Sequence, residues 1–238
     1  MSRTPERVVV MGGSSGIGEA TASLFAAGGA EVIITGRERE KLLSAQARSG
    51  AARAEVVDGT QAPALAAFFQ DLGGFDHLVL AMSGRAGAGP FATLSLGKLR
   101  AGFDAKFWAY LETLQAALPM LKGSATLIGA GSARAALPGT AGLAAINGAL
   151  EAMVLPLAVE LAPVRVNGVS PGIIDTPWWD AMPPQAKEQF MRQAANSLPV
   201  GRVGHPLDVA QAIVMLAGNG FMTGTVIEVD GGGHLARA

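Results

Sequence analysis

Short runs of β-branched and aliphatic residues alternate along the chain with longer stretches in which apolar positions recur at helical spacing. RVVVM (7–11), EVIIT (31–35), AEVVD (54–58), HLVLA (77–81), ATLIG (125–129), VRVNGVS (164–170) and TVIEVD (225–230) predict strands. None shows the polar alternation of a half-exposed sheet, so each is expected to be covered on both faces, as parallel strands are. Helices are predicted near 17–29, 38–48, 62–72, 95–121, 140–162 and 206–218. This alternation predicts an α/β fold over 1–238: a single domain with a doubly wound, seven-stranded parallel sheet flanked by helices on both faces. The least regular stretch, about 171–200, contains PWWDAMPP. Ligands of such sheets lie beyond the carboxyl ends of the strands, and this stretch is expected to form the substrate loop.

Composition narrows the partners. The 238 residues are half hydrophobic and carry a net charge of −1, without a Lys/Arg stripe. Nucleic acid and anionic membrane are therefore not expected partners. No apolar run is expected to reach the length of a membrane span. MSRTPER leads into the first strand and reads as lacking a secretory signal. The absence of cysteine excludes disulfides, thiolate metal sites and a cysteine nucleophile, and fits a cytoplasmic protein. His77, His205 and His234 are scattered, so no metal site is expected. His77 reads as structural, and His205 as a surface or helix-start residue.

Candidate chemistry begins after the first strand, in MGGSSGIGEA. Gly12, Ser14, Ser15, Gly16, Ile17 and Gly18 span a turn into a helix. Glycines there allow a tight turn and close approach to a pyrophosphate, and the free N–H groups of a helix start favour the anion. A glycine-rich turn is a weak signal alone, but its place in the first βαβ unit is the context that a Rossmann dinucleotide site requires. The alternative is a structural turn without a ligand.

GGSSGIG resembles the glycine motif of the short-chain dehydrogenase/reductase family, spaced Gly-x-x-x-Gly-x-Gly. VNGVSPGIIDTP, LPVGRVGHPLDVAQAIVMLA and TGTVIEVDGGG resemble that family's later segments, so the similarity covers nearly the whole chain. It implies a nicotinamide cofactor and hydride exchange between a carbonyl and an alcohol. Met11 stands where the family usually has Thr. Arg37, just after the second strand, suits a cofactor 2′-phosphate and favours NADP(H), with NAD(H) possible; the alternative is a solvated arginine. Asp58 resembles a residue contacting adenine, or is a helix N-cap. Ile173 and Thr176 resemble positions that touch the nicotinamide amide and the diphosphate.

The family's proton chemistry uses a Tyr, a Lys four residues later, a preceding Ser, and an Asn on the long helix before. A carbonyl that accepts hydride becomes an alkoxide and must be protonated. Here GTAGLAAINGALEAM (139–153) has no residue but Glu151 able to exchange a proton near neutral pH. Two registers against the family are available. One puts Ile146 and Leu150 at the Tyr and Lys positions. The other, preferred because it needs no gap inside a helix, puts Leu143 and Asn147 there. In that register Lys106 falls at the family's Asn, so the lysine and asparagine have exchanged helices. The chain's one tyrosine, Tyr110, lies a turn beyond Lys106. Lys106 is expected either to reach the nicotinamide pocket and supply charge or a proton, or to snorkel to solvent while Tyr110 packs at a subunit contact. Ala130 occupies the family's Ser position and Ser132 follows; Ser132 and Asn147 complete the candidate catalytic set. Arg134 is expected to face water.

Trp178, Trp179 and Met182 are expected to form an apolar lid over a small-molecule substrate, or to pack against the protein body or a neighbouring subunit. The resemblance further implies a homodimer or homotetramer. Two functions stay open: an NADP(H)-dependent oxidoreductase with a rebuilt proton path, and a cofactor-binding pseudoenzyme acting as a sensor or partner. A scaffold without nucleotide is a third, supported by Met11 alone.

Overall fold

The computed structural model describes residues 5–235. The first four residues of the stretch from which the lack of a leader is argued fall outside it. Seven parallel strands form one sheet: β1 (Arg7–Met11), β2 (Glu31–Gly36), β3 (Arg53–Val56), β4 (Phe75–Leu80), β5 (Leu121–Ile128), β6 (Arg165–Pro171) and β7 (Val226–Val229), in the order β3-β2-β1-β4-β5-β6-β7. The chain reverses direction of winding between β1 and β4, the position where an open parallel sheet leaves a crevice for a ligand.

Strand periodicity divides the core. Val8, Val10, Val32, Ile34 and Val169 face α1 (Gly16–Ala27), α2 (Arg39–Ser49) and the later helix α8 (Pro206–Gly218). Val9, Met11, Ile33, Leu78, Leu80 and Leu127 face the other layer, which begins with α3 (Ala62–Leu72). Each buried Val, Leu or Ile contributes about 1.5–3 kcal/mol. Loss of polar alternation in the sequence therefore has a direct cause: both strand faces are core.

The long predicted helix is two helices, α4 (Leu96–Phe103) and α5 (Ala109–Ala117), joined by a π-helical turn over Asp104–Trp108. Its last predicted residue, 121, already belongs to β5. The stretch 171–200 is more regular than expected. After a 3-10 turn (Pro177–Ala181) it contains α7 (Pro184–Ser197), which opens on two prolines suited to a helix start. Its polar outer surface hides the helical period.

Helix α6 (Ala141–Glu160) corrects one composition argument. It is 20 residues long, with a mean hydropathy of 1.6 over its most apolar 18 residues, and so is long and apolar enough by length and composition to cross a membrane. In the fold it flanks the sheet: Ile146, Leu150, Val154 and Ala158 are buried, while Leu155 and Val159 are 67% and 79% exposed. Its apolarity serves two faces, one of which meets no other described residue closely enough to be covered.

Candidate active site

The turn between β1 and α1 is held by the backbone. The N–H groups of Gly12 and Gly13 both donate to the Thr35 carbonyl, at 3.1 and 3.0 Å. Thr35 also donates its hydroxyl to Met11 Sδ at 3.1 Å. Gly12 has φ +84°, and a Cβ there would meet the Ala81–Met82 peptide at 2.9 Å. A Cβ on Gly18 would lie 2.2 Å from the Gly12 carbonyl, so α1 can pack on the turn only with glycine there. Ser15 is the extended N-cap of α1 and makes no side-chain capping bond. Gly16, Ile17 and Gly18 therefore present first-turn N–H groups without an intrahelical acceptor, as an anion requires. Ser14 and Ser15 lie on the rim. The cradle fits a diphosphate.

The other cofactor candidates lie on the loops that follow β2, β3 and β6. Arg37 is exposed immediately after β2 and forms no ion pair with any described residue. Asp58 lies two residues beyond β3 and accepts from the Thr60 N–H and hydroxyl, at 3.0 and 2.9 Å. That is an Asx turn ahead of α3, whose N-cap is Gln61, so the alternative of a helix N-cap is corrected. Ile173 follows β6 and accepts from the Gly204 N–H at 2.9 Å. Thr176 lies against Gly16, 3.3 Å from where a Cβ would stand.

Lys106 points inward from the π turn and is 9% exposed. Its Nζ donates to Asn147 Oδ1 at 2.7 Å and to the Gly129 carbonyl at 3.1 Å. Asn147 in turn donates to Ser132 Oγ at 3.1 Å and to the Leu143 carbonyl at 2.9 Å. The three residues singled out in the sequence therefore form one hydrogen-bonded chain beyond the end of β5. In the other register, Leu150 packs in the core with Val9, Met11 and Tyr110, and Ile146 is likewise buried. The helix thus turns Asn147, not Leu150, toward Lys106. Burial lowers the Lys106 pKa to about 8, against an opposing pull from Glu151.

Tyr110 is not at a subunit surface. It is 1% exposed, and its hydroxyl lies 3.0 Å from the Met82 carbonyl and 3.2 Å from that of Ile128. Burial pushes its pKa up, so it stays a neutral donor. The Lys106 ammonium sits 5.9 Å from its ring centre.

Arg134 also departs from expectation. It binds Glu151 Oε2 at 2.9 Å and pairs with Glu228 instead of facing water alone. Glu151 is missing from the predicted set. It lies one helical turn after Asn147, a spacing that puts both on one face, so that signal was present; the role of the Gly129 carbonyl had none. His234 joins Glu228 and Asp230, their ligand atoms all within 4.8 Å, so this one histidine is less isolated than it reads. His234 Nδ1 already bonds both carboxylates at 2.8 Å. His77 is buried and bonded to Ser124 at 2.9 Å, and His205 is the N-cap of α8.

The loop after β6 folds across to the loop after β4. Arg85 donates to the Pro177 carbonyl at 2.7 Å and lies 6.0 Å over the Trp178 ring. Trp179 bonds the Ile174 carbonyl at 2.9 Å and packs on Phe190. Both tryptophans and Met182 are half-buried against the body.

Known proteins fit this geometry. The sequence model described as enoyl-(acyl carrier protein) reductase matches residues 12–234. A 3-oxoacyl-[acyl-carrier-protein] reductase of Thermotoga maritima is 32% identical, covering 94% of this chain and 96% of its own. A small-chain dehydrogenase solved in complex with NADPH superposes with a TM-score of 0.85 at 32% identity, over 98% of this chain and all of its own (100%). An NADPH-bound short-chain oxidoreductase from Pseudomonas aeruginosa, described as containing an atypical catalytic center, gives a TM-score of 0.86 at 29% identity, over 95% and 96%.

Proposed function

The chain belongs to the short-chain dehydrogenase/reductase family, and from that premise we propose an NADP(H)-dependent oxidoreductase in which Lys106 takes the proton-bearing role of the family's tyrosine. One observation carries this reading. An ammonium has three donors, and Gly129 and Asn147 take two of those on Lys106. The third is available to a substrate oxygen beyond the strand ends.

The Gly12–Gly18 turn would hold a nicotinamide cofactor, whose chemistry would be to supply or accept the hydride. Lys106 gives its Nζ proton to the oxygen of the reduced carbonyl and is left as the neutral amine. In the oxidative direction the neutral amine takes the alcohol's proton. Ser132 accepts from Asn147 and keeps its own hydroxyl proton for the same substrate oxygen. Asn147 holds Lys106 and Ser132 in register. A lysine with a pKa of about 8 is suited to give up a proton near neutral pH.

The substrate is proposed to be a small carbonyl or alcohol; the relative named as a 3-oxoacyl reductase supports a carbonyl. An imine or a conjugated alkene would need less help from an acid. Arg37 supports NADP(H) over NAD(H), as do the NADPH complexes of similar proteins. The exposed Leu155 and Val159 of α6, with half-exposed Trp108, support a homodimer or homotetramer built on this layer. A cytoplasmic location is in keeping with the lack of cysteine.

A second reading, cofactor binding without turnover, is favoured by Leu143 at the family's tyrosine position. Calorimetric titration of the nucleotide-free protein with NADPH and then NADH tests the cleft. NADPH consumption is then followed with activated ketones, imines and enones. Tight NADPH binding with turnover supports the oxidoreductase, and binding without turnover supports the second reading. No binding of either nucleotide, in folded protein, removes both.

A further inference from the structure

Resting on the reading that Lys106 bears the proton, we propose that Glu151 is its positioning residue and that Arg134 is the clamp that limits how strongly Glu151 acts. Two contacts converge on Gly129. Lys106 donates to its carbonyl at 3.1 Å. Glu151 lies against its Cα, with Oε1 3.2 Å from where a Cβ would stand. The carboxylate is 11% exposed, and Oε1 has no hydrogen-bond partner among the described residues. Glycine at 129 thus leaves the space through which a buried carboxylate and a buried ammonium approach the same peptide from two helices.

A buried carboxylate oxygen without a partner is costly. Its retention needs a reason, and the reason lies beside it. Lys106 is bonded only to neutral acceptors, an amide and a carbonyl. Taking an unpaired ammonium out of water drives it toward the neutral amine. Glu151 opposes that drive by Coulomb attraction. Its other oxygen, Oε2, is tied to Arg134 at 2.9 Å, and Arg134 is held in turn by Glu228 on β7. The guanidinium offsets part of the Glu151 charge. It also anchors the turn that carries Ser132, two residues earlier.

The charged groups around Lys106 can be named element by element. Helix α6 brings Glu151 and the neutral Asn147, and the turn after β5 brings Arg134 beyond Glu151. Its own helix brings Tyr110, neutral because buried. Behind Arg134 stand Glu228, Asp230 and His234, bonded among themselves. The nearest charge acting on Lys106 is therefore Glu151, and the nearest acting on Glu151 is Arg134.

The test reads Lys106 directly and needs neither cofactor nor turnover. The full chain is labelled with ¹³C-lysine; it has five lysines, and Lys106→Met identifies the signal of Lys106. Its Cε shift is followed with pH. Removing the carboxylate charge in Glu151→Gln lowers the midpoint by about one pH unit. Arg134→Gln raises it, because the carboxylate then acts without its clamp. Glu151→Asp, which restores a charge, returns the midpoint toward the original. Recovery in Glu151→Asp separates a charge effect from a merely structural one, since loss of packing alone would move the Lys106 midpoint alike in Glu151→Gln and Glu151→Asp. A midpoint that stays in place in Glu151→Gln, or that fails to rise in Arg134→Gln, overturns the proposal. A chain that never turns over NADPH would remove the oxidoreductase reading yet leave this titration intact, so the two failures are distinguishable.

Discussion

The two halves of the candidate site are built from different materials. The β1–α1 turn is a backbone device: carbonyl and N–H positions, one glycine at φ +84° and one pressed within 2.2 Å (as a Cβ) of a carbonyl. The Lys106–Asn147–Ser132 chain is a side-chain device, in which polar groups on two helices and a turn meet end to end. A backbone device admits few alternatives, because each glycine is required by sterics. A side-chain device can be rewired, provided that each buried donor and acceptor still finds a partner. Lys106 and Asn147, brought from different helices, meet at 2.7 Å, and the amine is held at the Gly129 carbonyl just beyond the end of β5.

The largest expected effect breaks the side-chain half alone. Lys106→Met keeps the stem and removes the proton donor. Turnover should fall by about 10²–10⁴-fold, with NADPH affinity by calorimetry unchanged. If binding and turnover fall together, the two halves are not separable. The backbone half is broken by Gly18→Ala, which forces α1 off the Gly12 carbonyl. Overpacking of this kind should cost about 1–3 kcal/mol of stability and weaken NADPH binding about tenfold or more, as read by thermal melts and titration. Arg37→Glu then sharpens cofactor choice. Loss of a charge-assisted bond should weaken NADPH by about 1.5–3 kcal/mol and leave NADH unchanged.

How far the sequence reached follows the same division. The seven strands and the glycine turn were legible because each is local: a run of aliphatic residues, or a spacing of glycines after a strand. Lys106 could be placed only by aligning a helix to a family pattern, which left solvent or pocket open; burial within the π turn excludes solvent. Asn147 depended on the helix register, and the fold turns it toward Lys106 at 2.7 Å. Arg134 was misread because its partners, Glu151 and Glu228, lie 17 and 94 residues away. Helix α7 was missed because its exposed face is polar and its buried face narrow, with Ala194 its one buried residue.

The smaller predictions use pH. If Lys106 carries the proton, the rate of carbonyl reduction falls as pH rises through about 8, where the ammonium is lost, and alcohol oxidation rises over the same range. Rates measured in both directions check the crossing; a reductive rate flat from pH 7 to 9, with chemistry rate-limiting, would remove Lys106 as the donor. Stability follows a different curve. The folded pKa of Lys106 lies below its ordinary value of 10.5, so the unfolded chain binds more protons between about 8 and 10.5. Stability contributed by this group therefore rises with pH across that window.

Asp208 supplies the contrast, in a part of the fold remote from the Lys106 bonds. It closes a capping box at the start of α8, accepts from the His205 N–H at 2.7 Å, and is bonded by Arg202 at 2.7 and 2.9 Å. Arg202 first, and the His205 N–H second, hold its pKa down to about 2. A depressed carboxylate contributes stability that is present above its unfolded pKa and is lost as pH falls through the folded one. That window runs from the ordinary value of 3.8 down to about 2. Asp208 is 31% exposed and Arg202 53%, so solvent screening limits the pair. Asp208→Asn should cost about 0.5–1 kcal/mol at neutral pH and progressively less as pH falls toward about 2, as read by denaturant melts at neutral and acid pH. It should leave the Lys106 titration and NADPH affinity unchanged. A shift in either would show that the α8 end of the molecule is energetically joined to the rewired site, and that the two halves are less independent than their construction implies.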